Sequence, residues 1–213
     1  DEPHGNIMAA RVLVGRGELE RALEHYERAR RSRGRDIGSS VSRERVNLLL
    51  ELARRALEAH RPSVALGYLD SLRQPGAQLG PRTALEVKQL ALEIVDELLD
   101  ARRISLAEGV LRETPHGVGR GDGRWSLMML RARLMKEGTV AAEEALWTWA
   151  REDRERRLIV ADLVLSEGRS EGVIRHLNGV LGDSGSDQHG WLYLLRAAEA
   201  EETRRVLGDG TVR

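Results

Sequence analysis

Glycine stands at every second position from Gly117 to Gly123, which gives these residues the composition of a loop that binds phosphate through backbone N–H groups. Phosphate-binding loops of this kind follow a strand and lead into a lysine and a serine or threonine. Neither feature is present here. We therefore interpret residues 114–123 as a flexible loop. Arg120-Gly121-Asp122 within it matches an adhesion tripeptide, but so short a match arises readily by chance.

A serine nucleophile and a metal site are the other two kinds of chemistry to weigh. Gly182-Asp183-Ser184-Gly185 resembles the nucleophile segment of chymotrypsin-like proteases, but that family needs a β-barrel and a partnered histidine, and the sequence predicts neither. The six histidines are scattered without the helical spacing of metal ligands, and there is no cysteine. We therefore predict a protein that is not an enzyme, with no catalytic residue, cofactor or metal site. An enzyme is the disfavoured alternative.

The composition indicates a helical protein with a balanced surface charge. Hydrophobic residues make up 41% of the chain, aromatic residues only 3%, and phenylalanine is absent, so leucine, alanine, valine and isoleucine must build the core. This mixture suits helix packing better than a β-sandwich. The net charge of zero lacks the basic excess that nucleic acids or anionic membranes attract. We expect no nucleic-acid partner, no membrane insertion and a cytoplasmic location.

The segment Gly17–Ala29 is a turn followed by an amphipathic helix, and its spacing recurs along the chain. Its small residue, Ala22, follows the turn glycine by five positions and precedes Tyr26 by four. We call the small residue the anchor and align the later segments on it. The turn residues are then Gly17, His60, Arg102, Gly138 and Gly168, the anchors are Ala22, Ala65, Ala107, Glu143 and Val173, and the large apolar residues are Tyr26, Leu69, Leu111, Trp147 and Leu177.

This recurrence resembles the tetratricopeptide repeat, in which a glycine-type turn, a small alanine and a bulky residue recur at these intervals. The resemblance implies an all-α fold, a right-handed superhelix (α-solenoid) of about five helical hairpins plus a C-terminal capping helix, in a single domain spanning residues 1–213. A polar loop, Arg30 to Ser40, joins the first two hairpins. The alternative is a different α-solenoid with longer hairpins, because the first anchors lie farther apart than in that family. The predicted units are 3–36, 46–75, 84–114, 124–151 and 154–182, with a cap at 190–207.

In the tetratricopeptide family the first helix of each hairpin lines a concave groove, so the resemblance also implies which residues face a ligand. Counting back fifteen and eight positions from the anchors gives only apolar residues. Counting back eleven gives Ala132 and four charged residues, positive at Arg11 and Arg54 and negative at Asp96 and Asp162. The alternative is that the apolar residues form the inter-helix core and the charges a solvated row. The candidate partner-binding residues are Ile7, Arg11, Val14, Asn47, Leu50, Arg54, Leu57, Gln89, Leu92 and Asp96.

These features predict a non-enzymatic adaptor that holds a peptide or a partner subunit in its groove, with Arg11 and Arg54 binding a partner carboxylate. The sequence begins at Asp1 without methionine and becomes helical by about Asn6, so we expect an excised domain or a processed product. A sensor or regulatory domain of a larger signalling or transcriptional protein is therefore one alternative. Self-association through the groove or a solenoid end is another.

Overall fold

The computed structural model describes residues 3–33, 39–73, 79–113, 123–181 and 188–207, and every regular element in these ranges is an α-helix. The predicted all-α fold is thereby confirmed for the described residues. None of the helices found there has the length and apolar character that crossing a bilayer requires. The helices are α1 (Pro3–Gly15), α2 (Leu19–Arg33), α3 (Ser39–Glu58), α4 (Pro62–Arg73), α5 (Pro81–Asp100), α6 (Ile104–Glu113), α7 (Gly123–Glu137), α8 (Val140–Ala150), α9 (Arg154–Ser166), α10 (Ser170–Leu181) and α11 (Gln188–Leu207).

Each of the five helix pairs from α1 to α10 turns at a residue in the left-handed region of backbone space. After α1, the amide of Gly17 donates to Val14 O at 3.0 Å and the amide of Glu18 donates to Leu13 O at 3.0 Å. Two such bonds satisfy carbonyls that the helix end leaves open. The φ angles at the five turns are 78° at Gly17, 53° at His60, 57° at Arg102, 60° at Gly138 and 72° at Gly168. These are the five turn residues that the spacing predicts.

The second helix of each pair buries its anchor and the large apolar residue that follows. Ala22, Ala65, Ala107 and Val173 are 0% exposed, and Glu143 is 4% exposed. The repeat register is therefore the predicted one in all five pairs. The large residues Tyr26, Leu69, Leu111, Trp147 and Leu177 are between 0% and 5% exposed.

Glu143 stands where the other repeats have a small residue. A glycine on α10, the second helix of the following pair, compensates for its size. A Cβ at Gly172 would overlap the carboxylate of Glu143, whose Cδ would lie 2.6 Å away. Arg169 Nε donates to Glu143 Oε2 at 2.6 Å, and Arg169 Nη1 donates to Gly138 O at 2.9 Å. The absence of a side chain at Gly172 leaves space for the buried carboxylate of Glu143, and the guanidinium of Arg169 compensates its charge.

Three helix ends differ from the prediction. Helix α2 continues to Arg33, through the start of the predicted loop, and α3 begins at Ser39 rather than near residue 46. The first turns of α3 have a buried side: Val41 is 7% exposed, and the guanidinium of the buried Arg45 lies 2.6 Å from Glu27 Oε1. Helix α5 likewise begins at residue 81, a proline, which fits the first turn because no helical hydrogen bond needs its missing N–H.

The chain divides into two compact units, Asp1–Trp125 and Ser126–Arg213. In unit 1, α1 packs on α2, α3 on α4 and α5 on α6, and consecutive pairs join because α2 contacts α3 while α3 and α4 contact α5. In unit 2, α8 contacts α9, and α9, α10 and α11 contact one another. The predicted single solenoid over both units stays a prediction. Residues 114–122 of the predicted loop 114–123 lie outside the described residues, and Gly123 is the first residue of α7. The segment 182–187, which contains Gly182-Asp183-Ser184-Gly185, also lies outside them.

Replacing His60 with glycine is expected to raise the free energy of unfolding by about 1 kcal/mol, because glycine adopts a φ of 53° without the strain that a Cβ brings. The imidazole of His60 is 83% exposed, and its contact with Glu97 Oε2 is long, at 3.4 Å. Losing this contact therefore removes little stability. Urea denaturation of His60→Gly beside His60→Ala measures the effect. Alanine keeps the strained backbone, so an equal gain in both variants would assign the effect to the side chain instead.

Candidate partner-binding face

The first helices of the three pairs in unit 1 share an exposed arc, which we call the first-helix face. Its residues recur at intervals of three and four, as one side of a helix requires. Ion pairs between consecutive first helices, Arg11 with Glu44 and Arg54 with Glu86, make the face continuous from α1 through α3 to α5. The face consists of Met8, Arg11 and Val12 on α1, Asn47, Glu51, Arg54 and Arg55 on α3, and Gln89, Glu93, Asp96 and Glu97 on α5.

Three of the ten predicted partner-binding residues are in the core. Ile7, Leu50 and Leu92 are 5%, 2% and 3% exposed, so the prediction that they receive a ligand is wrong and the core interpretation applies to them. These three residues lie fifteen positions before their anchors. At this position a side chain lies beside the first-helix face and points towards the neighbouring helices. The other seven are exposed or half-buried: Arg11, Val14, Asn47, Arg54, Gln89, Leu57 and Asp96.

Two exposed apolar residues of α1 were not among the predicted residues. Met8 is 48% exposed and Val12 is 52% exposed, and both lie on the first-helix face. The matching positions of α3 are occupied by Glu51 and Arg55, which pair at 3.0 Å. Counting back fourteen and ten positions from the anchors, instead of fifteen and eight, finds these residues. The interruption of a charged row by Met8 and Val12 is the signal that they are unusual.

Arg11 already holds a carboxylate of its own chain. Its Nε donates to Glu44 Oε2 at 2.9 Å and its Nη2 donates to Glu44 Oε1 at 2.8 Å, a two-pronged pair between α1 and α3. The hydroxyl of Tyr26 on α2 donates to the same Glu44 Oε2 at 2.8 Å. Arg54 Nη2 lies 3.5 Å from Glu86 Oε2. The predicted binding of a partner carboxylate by both arginines would therefore have to displace carboxylates of the protein itself, and we do not propose it further.

The Tyr26 and Glu44 side chains titrate away from their ordinary ranges. The hydrogen bond from Arg11 is the main reason that the pKa of Glu44 is lowered, and the bond from Tyr26 adds to it. Burial, followed by the hydrogen bond to Glu44, raises the pKa of Tyr26 to about 12. This cluster, whose Arg11 belongs to the first-helix face, ties α1, α2 and α3 together. Its role is to fix the relative positions of the helices.

The first-helix face becomes acidic towards α5. Its α1 part carries Arg11 and no acid, whereas the α5 part carries Glu93, Asp96 and Glu97. Within the described residues, Glu93 has no ion pair, and Glu97 has the imidazole of His60 at 3.4 Å. Carboxylates crowded on one arc create a negative potential that favours a cationic partner. The face thus offers an apolar patch on α1 and a negative patch on α5.

A cleft of about 390 Å³ lies between α2 and α4, with Leu23 and Tyr68 as its apolar part. Its charged residues are largely engaged with each other or with neighbours: Glu24 lies 3.4 Å from Arg28, and Glu27 pairs with both Arg30 and Arg45. The first-helix face, with its exposed apolar residues, is the better candidate for binding a partner. In the ranges that the structure describes, no three metal-ligating side chains converge.

Comparisons with protein families, with curated proteins and with solved structures find nothing that matches this chain.

The free energy of unfolding is expected to fall by about 2 kcal/mol as the pH rises from 10 to about 12, because unfolded Tyr26 releases its proton in this range while folded Tyr26 keeps it. Urea denaturation at a series of pH values measures the fall. The pKa of Tyr68 is raised too, by burial and by the charge of Glu20, so Tyr26→Phe is needed to isolate one contribution. An undiminished fall in that variant would show that Tyr26 is not its source.

Proposed function

We propose that this chain is a non-enzymatic adaptor of the tetratricopeptide type, a right-handed α-solenoid whose first-helix face binds a peptide or partner subunit. Support for the architecture comes from the repeat itself. Five left-handed turn residues each precede a buried anchor by the same interval, and the pairs of unit 1 pack consecutively. Repeats of this kind present extended surfaces for protein partners.

The observation that carries the binding proposal is the exposure of Met8 and Val12 on an otherwise polar face. Two large apolar side chains that are about half exposed form a patch that a partner could cover. The acidic part of the face on α5 favours a positively charged partner. The partner that fits is a basic amphipathic segment, whose apolar side packs on Met8 and Val12 and whose lysines or arginines reach Glu93 and Glu97.

Two synthetic peptides test this proposal: an amphipathic helix with leucines on one side and lysines on the other, and the same peptide with glutamates in place of the lysines. Fluorescence anisotropy of the labelled peptides with the full-length protein is expected to show binding of the lysine peptide, weakened by added salt. Glu93→Gln with Glu97→Gln is expected to weaken it about fivefold, and Met8→Ser with Val12→Ser about tenfold.

Glu24→Gln is the matched control, since Glu24 is an exposed carboxylate of α2 outside the first-helix face. It is expected to leave the affinity for the lysine peptide unchanged. Equal binding of the two peptides, or full binding by the Met8→Ser, Val12→Ser variant, would contradict the proposal. A concentration-dependent mass of the protein alone, abolished by that variant, would assign the face to self-association instead.

A further inference from the structure

Two arginines, Arg151 and Arg157, line a pocket of about 190 Å³ in unit 2. Arg151 lies just after α8, and Arg157 lies in α9. The pocket is completed by Glu144, Trp147 and Thr148 of α8 and by His176 of α10. Ligand pockets that hold whole small molecules measure about 300–1,000 Å³. This pocket therefore suits a single side chain or the end of a polypeptide.

Arg151 and Arg157 differ from other arginines of unit 2 that are paired with acidic side chains. Arg156 pairs with Asp153 at 3.2 Å, Arg169 with Glu143 at 2.6 Å and Arg175 with Glu144 at 3.5 Å. In the part of the protein that the structure describes, Arg151 and Arg157 make neither an ion pair nor a side-chain hydrogen bond. Two guanidinium groups that line one cavity without an acidic partner of their own repel each other, and an anion bound between them would offset that repulsion.

The carboxylate of Glu144, which also lines the pocket, is already engaged. Glu144 Oε1 lies 3.1 Å from His176 Nε2 and 3.5 Å from a guanidinium nitrogen of Arg175. The imidazole of His176 stacks on the indole of Trp147, with ring centroids 4.8 Å apart and planes 16° from parallel. The stacked rings form one wall of the pocket, and Thr148 also lines it. The charge left over in the pocket is positive.

We propose that this pocket binds the carboxylate of a glutamate or aspartate side chain of a partner protein, through Arg151 and Arg157. Guanidinium groups match the two oxygens of a carboxylate, which accepts parallel N–H donors. The apolar stem of an acidic side chain packs against the Trp147 and His176 rings. This site lies in unit 2 and selects an anion, so it does not rest on the function proposed for the first-helix face.

Nuclear magnetic resonance of the full-length protein labelled with ¹⁵N tests the site, with the indole N–H of Trp147 and the side-chain N–H groups of Arg151 and Arg157 as reporters. The probes are short acetylated, amidated peptides that differ at one central position: glutamate, glutamine or phosphoserine. A saturable shift of all three reporters is expected with the glutamate peptide and not with the glutamine peptide. A response to the phosphoserine peptide alone would overturn the carboxylate assignment in favour of phosphate.

Arg151→Gln with Arg157→Gln is expected to weaken binding of the glutamate peptide at least tenfold, because two charge-assisted hydrogen-bonding groups are lost. Arg16→Gln with Arg61→Gln, at exposed positions of unit 1, is the matched control and is expected to change nothing. Arg151→Lys with Arg157→Lys keeps the charge and removes the fork, so intermediate affinity is expected even if the glutamine variant fails to fold. Unchanged affinity in the lysine variant, or in the glutamine variant when that variant folds, would overturn the proposal.

Discussion

Replacing Glu27 with alanine is expected to lower the free energy of unfolding by about 3 kcal/mol, because it leaves the cation of Arg45 buried without its partner. The side chain of Arg45 is only 8% exposed, and its guanidinium lies 2.6 Å from Glu27 Oε1. Glu27 itself is 20% exposed and also pairs with Arg30 at 2.9 Å. The pair joins α2 to the first turns of α3, so we expect those turns to fray when it is broken.

Urea denaturation of Glu27→Ala beside Glu24→Ala separates this effect from the loss of an ordinary surface charge. Glu24 is on the same helix and pairs with Arg28 at 3.4 Å, but both side chains are at least half exposed. Replacing Glu24 with alanine is expected to lower the free energy of unfolding by about 0.3 kcal/mol. The double variant Glu27→Met, Arg45→Met removes both charges and is expected to recover most of the lost stability. Equal losses in the two single variants would refute the role of burial.

The turn residues and anchors were predictable because each answers a local requirement that recurs along the sequence. A left-handed turn five positions before a buried anchor repeats five times, so even His60 and Arg102 could be identified although neither is glycine. Their position in the repeat identified them, since their residue types did not. Glu143 could be placed for the same reason, although its type argues against an anchor.

The start of α3 was not predictable, because it depends on a contact between distant parts of the sequence. Residues 39–45 are polar except for Val41, and a polar stretch between two hydrophobic ones indicates a loop. The segment is helical since Arg45 finds Glu27, eighteen positions earlier, and can be buried beside it. No local pattern shows that a charged residue has such a partner.

Some of the predicted partner-binding residues are exposed and others are buried. Ile7 and Met8 are neighbours, but about 100° of helical rotation separates their side chains, so one is 5% exposed and the other 48%. Where the exposed arc of a helix ends depends on which helices pack against it. Because the spacing of the repeat fixes the register along the helix but not the edges of the arc, Leu50 and Leu92 were assigned to the surface and lie in the core.

Replacing Gly172 with alanine is expected to lower the free energy of unfolding by about 2 kcal/mol, although alanine normally stabilises a helix relative to glycine. The new Cβ would overlap the carboxylate of Glu143, which is only 4% exposed and held by Arg169 at 2.6 Å. The carboxylate cannot move without weakening that pair. Gly109 of α6 is the matched control: a Cβ there meets nothing within 4 Å, so Gly109→Ala is expected to gain about 0.5 kcal/mol. Thermal and urea denaturation of both variants give the two signs.

A double-mutant cycle decides whether the carboxylate is the obstacle. Glu143→Ala alone is expected to cost about 1 kcal/mol, since Arg169 keeps its bond to Gly138 O and is 26% exposed, so its charge can reach water. With Glu143 replaced, the Cβ at position 172 has space, and the double variant is expected to be more stable than Gly172→Ala alone. That result would show that the two residues are energetically coupled: a buried glutamate at position 143 requires a glycine at position 172 of α10. Additive losses would mean instead that Gly172 is needed for the backbone of α10 and that Glu143 is accommodated independently of it.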